Sequence, residues 1–172
     1  VNSASVVTID GVADEWGDIP RFEDVRDDST GALDITFVQA FADDENLYLL
    51  IEGAGGDWND IYSLQVEIDT NLDRTADYKL VTIGNRVLMG PNQSVSPEEE
   101  TLAEVSMQPA TFEARIPLAE MEISGGQTIQ LLVVYYFETS NQNIGESDAV
   151  PNVPQGIPVS YRPQVSRATA VN

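Results

Sequence analysis

Apolar and polar residues alternate along much of this chain with a period of two, the period of a β-strand that has one buried and one solvated face. The clearest instance is Ile61 to Ile68, I-Y-S-L-Q-V-E-I, with Tyr62, Leu64, Val66 and Ile68 on one face and Ser63, Gln65 and Glu67 on the other. Further strands are predicted at Ser5 to Ile9, Asp34 to Phe41, Asn46 to Glu52, Tyr78 to Ile83, Arg86 to Met89, Thr111 to Ile116 and Thr128 to Phe137. Each is bounded by Gly, Pro, Asn or Asp clusters. Thr128 to Phe137 is apolar almost throughout, the pattern of a central strand covered on both faces, and its Tyr135 and Tyr136 point to opposite sides.

Two joints read as tight hairpins, Asp43-Asp44-Glu45-Asn46 and Gly84-Asn85, so neighbouring strands run antiparallel. Helix is scarce. Pro117 to Met121 predicts one turn and Ser96 to Glu100 the start of another, but neither sustains a 3.6-residue period. The pattern therefore predicts an all-β domain, a two-sheet antiparallel β-sandwich of jelly-roll type, with very little helix. At 172 residues the chain is one domain. From Pro151 a segment with Pro151, Pro154, Pro158 and Pro163 is predicted to be extended, with one edge strand near Val159 to Arg162.

Charge narrows the choice of partners. Twenty-nine acidic residues against eight basic ones give a formal charge of -21, which repels phosphate backbones and anionic lipid, so neither nucleic acid nor a membrane surface is an expected partner. Only Lys79 among the basic residues is a lysine, a surface compatible with a saline habitat. The self-repulsion predicts that divalent cations or ambient salt help the chain fold. The absence of His and Cys removes Ser-His and Cys-His nucleophile pairs, the usual zinc sites and histidine-ligated haem. What remains is the chemistry of carboxylates, hydroxyls and hard, oxygen-ligated cations. With no initiator Met, no basic n-region, no apolar h-region and no apolar run long enough to span a bilayer, the chain reads as a mature or excised module.

The first candidate site is "IDTNLDRTADY", Ile68 to Tyr78, which places Asp69, Asn71, Asp73 and Asp77 after the clearest strand. These positions match part of the EF-hand ligand spacing, but Arg74 stands where that loop has Gly and Leu80 where it has Glu, and the flanks are strands. The segment is an inter-strand loop. Acidic side chains crowded together repel by up to about 1 kcal/mol per close pair in water, which favours a bound calcium ion. A solvated turn is the alternative, because Asp and Asn bond their own backbone. A second cluster, Asp24, Asp27, Asp28 and Asp34, is a further calcium candidate in which Gly31 permits a sharp turn. Asp148 is available to add an oxygen to either, and Glu98 to Glu100 read as a solvated run.

Four stretches in order, "TIDGVADEW" (Thr8 to Trp16), "DENLYLLIE" (Asp44 to Glu52), "YSLQVEIDTN" (Tyr62 to Asn71) and "FEARIPLAEM" (Phe112 to Met121), resemble family 9 carbohydrate-binding modules and the wider DOMON-like β-sandwich group. The resemblance implies two antiparallel sheets, secretion or display at the cell surface, a place in a larger enzyme or surface protein, and calcium as the cofactor. Its carbohydrate-binding members hold sugar on tryptophans in a shallow site. Its haem-binding branch uses Met and His ligands, and this chain has no His.

Trp16 matches the signature Trp that packs against the sandwich edge. Trp58, in "GAGGDWNDIY", follows a Gly-rich loop and is flanked by Asp57, Asn59 and Asp60, with Tyr62 nearby. Two readings stand: the ring stacks on a polysaccharide or oligosaccharide while its neighbours bond the hydroxyls, or it folds back onto the sandwich. A two-tryptophan sugar site would need a second exposed ring, and a Tyr such as Tyr62, Tyr135 or Tyr161 would have to supply it. The leading expectation is a non-catalytic, calcium-binding extracellular module that binds carbohydrate. The alternative is a calcium-stabilised structural or adhesion spacer with no sugar site. A two-carboxylate glycosidase ranks below both, because no carboxylate pair is singled out by an apolar setting.

Overall fold

In the computed structural model, residues 7–25, 33–83, 86–91, 101–140, 143–151 and 156–163 are described. They form two packed sheets. The first contains β1 (Arg21–Glu23), β2 (Asp34–Ala42), β3 (Asn46–Ala54), β7 (Glu104–Met107) and β8 (Thr111–Pro117), in the order β1-β2-β3-β8-β7. The second contains β4 (Ser63–Asp69), β5 (Tyr78–Ile83), β6 (Arg86–Pro91), β9 (Gln130–Ser140) and β10 (Asn143–Val150), in the order β10-β9-β4-β5-β6. All pairs within these two paths are antiparallel. The predicted β-sandwich is the observed fold. No helix among the described residues is long and apolar enough to cross a membrane.

Two short strands finish the edges. β11 (Ile157–Pro158) pairs with β9 at Leu131 and Gln130, beyond the reach of β10, whereas β12 (Ser160–Tyr161) pairs in parallel with β2 at Phe41 and Ala42, beyond the reach of β1. One stretch of five residues thus spans from one sheet to the other. The edge strand predicted near Val159 to Arg162 is this element.

The alternating pattern becomes the core. Leu64, Val66 and Ile68 of β4 meet Leu47, Leu49 and Ile51 of β3, with Phe112, Ala114, Ile116, Leu131, Val134 and Tyr136, in one buried cluster between the sheets. A second cluster lies on the outer side of the first sheet. There Phe41, Tyr48 and Leu50 are covered by Val7, Trp16 and Ile19 from the chain before β1. Phe41 and Tyr48 stack with centroids 4.5 Å apart, and Trp16 meets Phe41 edge-on at 5.5 Å.

Several boundaries moved. Ser5 and Val6 lie outside the described residues, and Val7 to Ile9 form no strand; they belong instead to the covering segment. β4 begins at Ser63, so Tyr62 is not on the buried face but 41 % exposed, in a bend that follows the short 3-10 helix Trp58–Asp60. The turn predicted at Pro117 to Met121 is the 3-10 helix Leu118–Met121. The one predicted at Ser96 to Glu100 and the turn residues Gly84 and Asn85 lie outside the described residues, although β5 and β6 pair as that hairpin requires.

Candidate functional site

The Asp69 loop joins β4 to β5, and its polar groups close on one another. The fully buried Asp69 carboxylate accepts the backbone N–H of Asn71 (3.0 Å) and Leu72 (2.6 Å) at Oδ1. At Oδ2 it accepts the N–H of Arg74 (2.8 Å) and the Gln130 side-chain amide (3.0 Å). Asp77 Oδ2 accepts both the N–H and the hydroxyl of Thr70, each at 2.8 Å. Asn71 Oδ1 accepts the N–H of Asp73, and Asp73 Oδ1 that of Thr75, two successive side-chain turns. Leu72 and Arg74 adopt left-handed backbones, φ 64° and 69°. Each costs roughly 1–2 kcal/mol for a residue with a Cβ, and the Asp69 carboxylate holds both through their N–H groups.

The Asp69 oxygens and Asp77 Oδ2 face N–H and O–H donors, so the polar-turn reading of Asp69, Asn71, Asp73 and Asp77 accounts for the hydrogen bonds of the loop; a calcium ion there would require six to eight oxygens converging on one point at about 2.3–2.6 Å. Burial raises the Asp69 pKa, but the Gln130 amide and the N–H groups of Arg74, Asn71 and Leu72 outweigh it and hold the carboxyl below its ordinary value.

In the second cluster, Asp27 and Asp28 lie outside the described residues. Asp34 opens β2, and Asp148 of β10 accepts the N–H of the next residue, Ile35, at 2.7 Å. Asp148 therefore joins the Asp34 end of β2, not the Asp69 loop. Among the described residues no group of three or more acidic side chains is arranged to hold a metal ion.

Trp58 is folded back into the sandwich. Its side chain has 0 % exposure, its ring meets Tyr136 edge-on at 5.8 Å, and its indole N–H donates to the Ala110 carbonyl at 3.0 Å. The Gly-rich loop that precedes it serves this burial. A Cβ on Gly56 would stand 2.8 Å from the Leu33 backbone nitrogen, so only glycine lets the two segments pass. The flanking polar residues cap rather than converge: Asp57 Oδ1 accepts the Asn59 N–H and side-chain amide, each at 2.8 Å, at the start of the 3-10 helix that ends at Asp60. Trp58 as a stacking platform is therefore corrected to a core residue. Asp57, Asn59, Asp60 and the exposed Tyr62 surround no open aromatic face of Trp58. Burial wins because truncating a core Trp costs about 3–5 kcal/mol, more than one exposed aromatic stack supplies.

The group that the sequence did not single out is Glu113, fully buried on β8. Its Oε1 accepts the Trp16 indole N–H at 2.8 Å, and its Oε2 accepts the backbone N–H of Asp10 (3.0 Å) and Gly11 (2.6 Å). Gly11 has φ 84°, and a Cβ there would stand 2.2 Å from the Gln108 side chain. The I-D-G…W stretch thus docks on a carboxylate about a hundred residues away in sequence. Burial raises the Glu113 pKa, and the N–H groups of Gly11, Trp16 and Asp10 only partly offset it. Beside it, burial together with the Asp43 carboxylate pushes the Tyr48 hydroxyl up to about 12.

The chain matches no protein-family model, and no curated protein matches it.

Proposed function

We propose that this chain is a non-catalytic structural or spacer module, an extracellular β-sandwich of a larger surface protein that carries no tryptophan-based sugar site. One observation carries the reading: both tryptophans are internal, Trp16 at 1 % and Trp58 at 0 % exposure, and each indole N–H is bonded within the fold, to Glu113 and to the Ala110 carbonyl. The described acidic groups support it as well. Asp69, Asp77, Asp57 and Glu113 each accept N–H groups that shape a loop or dock a segment, which is structural work and not the open pair of carboxylates that glycoside hydrolysis needs. Calcium acts on this module as on any surface of charge -21, by screening.

Affinity electrophoresis through gels cast with soluble polysaccharides tests the proposal. Unretarded migration on every polysaccharide is the expected result. Retardation on any polysaccharide that disappears with competing sugar would overturn it, and a folded Tyr62→Ala variant would then show whether the exposed Tyr62 forms that site.

A further inference from the structure

The chain before β1 is joined to the sandwich in an unusual way. Among the described residues, no backbone hydrogen bond ties Thr8 to Ile19 to a strand; the bond from Ile19 N–H to the Trp16 carbonyl is internal. Side chains make the connections. Glu113 receives Asp10, Gly11 and Trp16, and the buried Gln39 amide donates to the carbonyls of Trp16 (3.0 Å) and Ile19 (2.5 Å). Arg162, just past β12, donates to the Asp18 carboxylate and carbonyl, each at 2.9 Å. Thr8 and Glu15 close the segment on itself.

Its apolar contacts are separable too. Val7, Trp16 and Ile19 share a cluster with Phe41, Tyr48 and Leu50, whereas Leu47, Leu49 and Ile51 of the same β3 strand belong to the cluster between the sheets. Among the described residues, no side chain of the covering segment belongs to the inter-sheet cluster.

We propose that Val7 to Ile19 is a cap that opens as one unit while the sandwich stays folded, that Glu113 is its latch, and that opening uncovers the apolar face of Phe41, Tyr48 and Leu50. Three donors from two turns of the segment converge on one carboxylate, so losing that acceptor releases all of them together. The strands beneath keep their ladders and their inner faces. Opening units of this kind, smaller than the whole domain, are the level at which local stability differs across a structure.

Hydrogen exchange followed by mass spectrometry on the full chain tests this, with Glu113→Gln and Trp16→Phe beside the wild type. Gln keeps the volume of Glu but turns an NH₂ toward one of the N–H donors, and Phe keeps a ring while removing one donor. The expected result is exchange in peptides of residues 8–19 at least about tenfold faster in Glu113→Gln, less so in Trp16→Phe, with β3, β4 and β9 unchanged. Wild-type cap peptides exchange faster than β3. Equal acceleration of cap and strands would overturn the separable cap, and unchanged cap exchange in Glu113→Gln would overturn the latch.

Discussion

Asp69 and Glu113 are both fully buried carboxylates, each surrounded by N–H donors, yet they hold different kinds of structure. Asp69 collects the N–H groups of residues two, three and five positions downstream, so it organises a loop that its own sequence neighbours build. Glu113 collects groups 97 to 103 residues away and so fixes a tertiary contact. The same functional group therefore serves secondary structure in one place and tertiary structure in the other, and what differs is where the released donors could go. Residues 71 to 75 are exposed, and their N–H groups can turn to water, whereas Trp16 cannot.

The comparison breaks most clearly at Glu113. Glu113→Ala is expected to cost about 2–3 kcal/mol in urea denaturation, chiefly because the buried Trp16 indole N–H is left without its acceptor. Asp69→Ala should cost less, about 1–2 kcal/mol, because water replaces most of the lost acceptor. Equal losses would mean that solvent access does not separate the two sites.

Acid titration sharpens the contrast by sign. The lowered Asp69 pKa contributes stability that is present above its unfolded value, near 3.8, and is lost as pH falls through the folded value. The raised Glu113 pKa works in the opposite sense: its contribution is complete below the unfolded value, near 4.5, and fades as pH rises through the folded one. Melting curves across acid pH are therefore expected to flatten on opposite sides, below pH 3.8 in Asp69→Asn and above pH 4.5 in Glu113→Gln. Changes on the same side would contradict the assignment. The smallest effect is Arg74→Gly, which relieves the left-handed strain at φ 69° and, after the entropy cost of glycine, should stabilise by about 0.5 kcal/mol.

The contrast also explains what could be read from the sequence. β4 is legible because Leu64, Val66 and Ile68 alternate with polar residues in one uninterrupted run, and the Asp43 turn because its carboxylate accepts the N–H groups of Glu45 and Asn46, two and three residues on. β1 and β7 escaped because three or four residues, Arg21–Glu23 and Glu104–Met107, are too few to show a period. β10 escaped because N-I-G-E-S-D-A-V is a polar edge with glycine in it. In the Asp69 loop the residue types leave both chemistries open. Oxygen-rich spacing is the same for a cation and for a chain of side-chain turns, so spacing by itself does not separate them. Trp58 depended on Gly56 passing the Leu33 backbone, a contact between distant segments. Glu113 alternates with Phe112 and Ala114 like any outward residue, and nothing local marks the Trp16 indole that covers it.

In the loop between β4 and β5, acidic side chains shape the chain by accepting the N–H groups of neighbouring residues. Amide hydrogen exchange of Asn71, Leu72 and Arg74, followed by NMR in excess chelator and then at saturating Ca²⁺, tests it most directly. All three amides are expected to be protected in chelator and unchanged by Ca²⁺. Amides that exchange freely until Ca²⁺ protects them would contradict it and make the loop a calcium site.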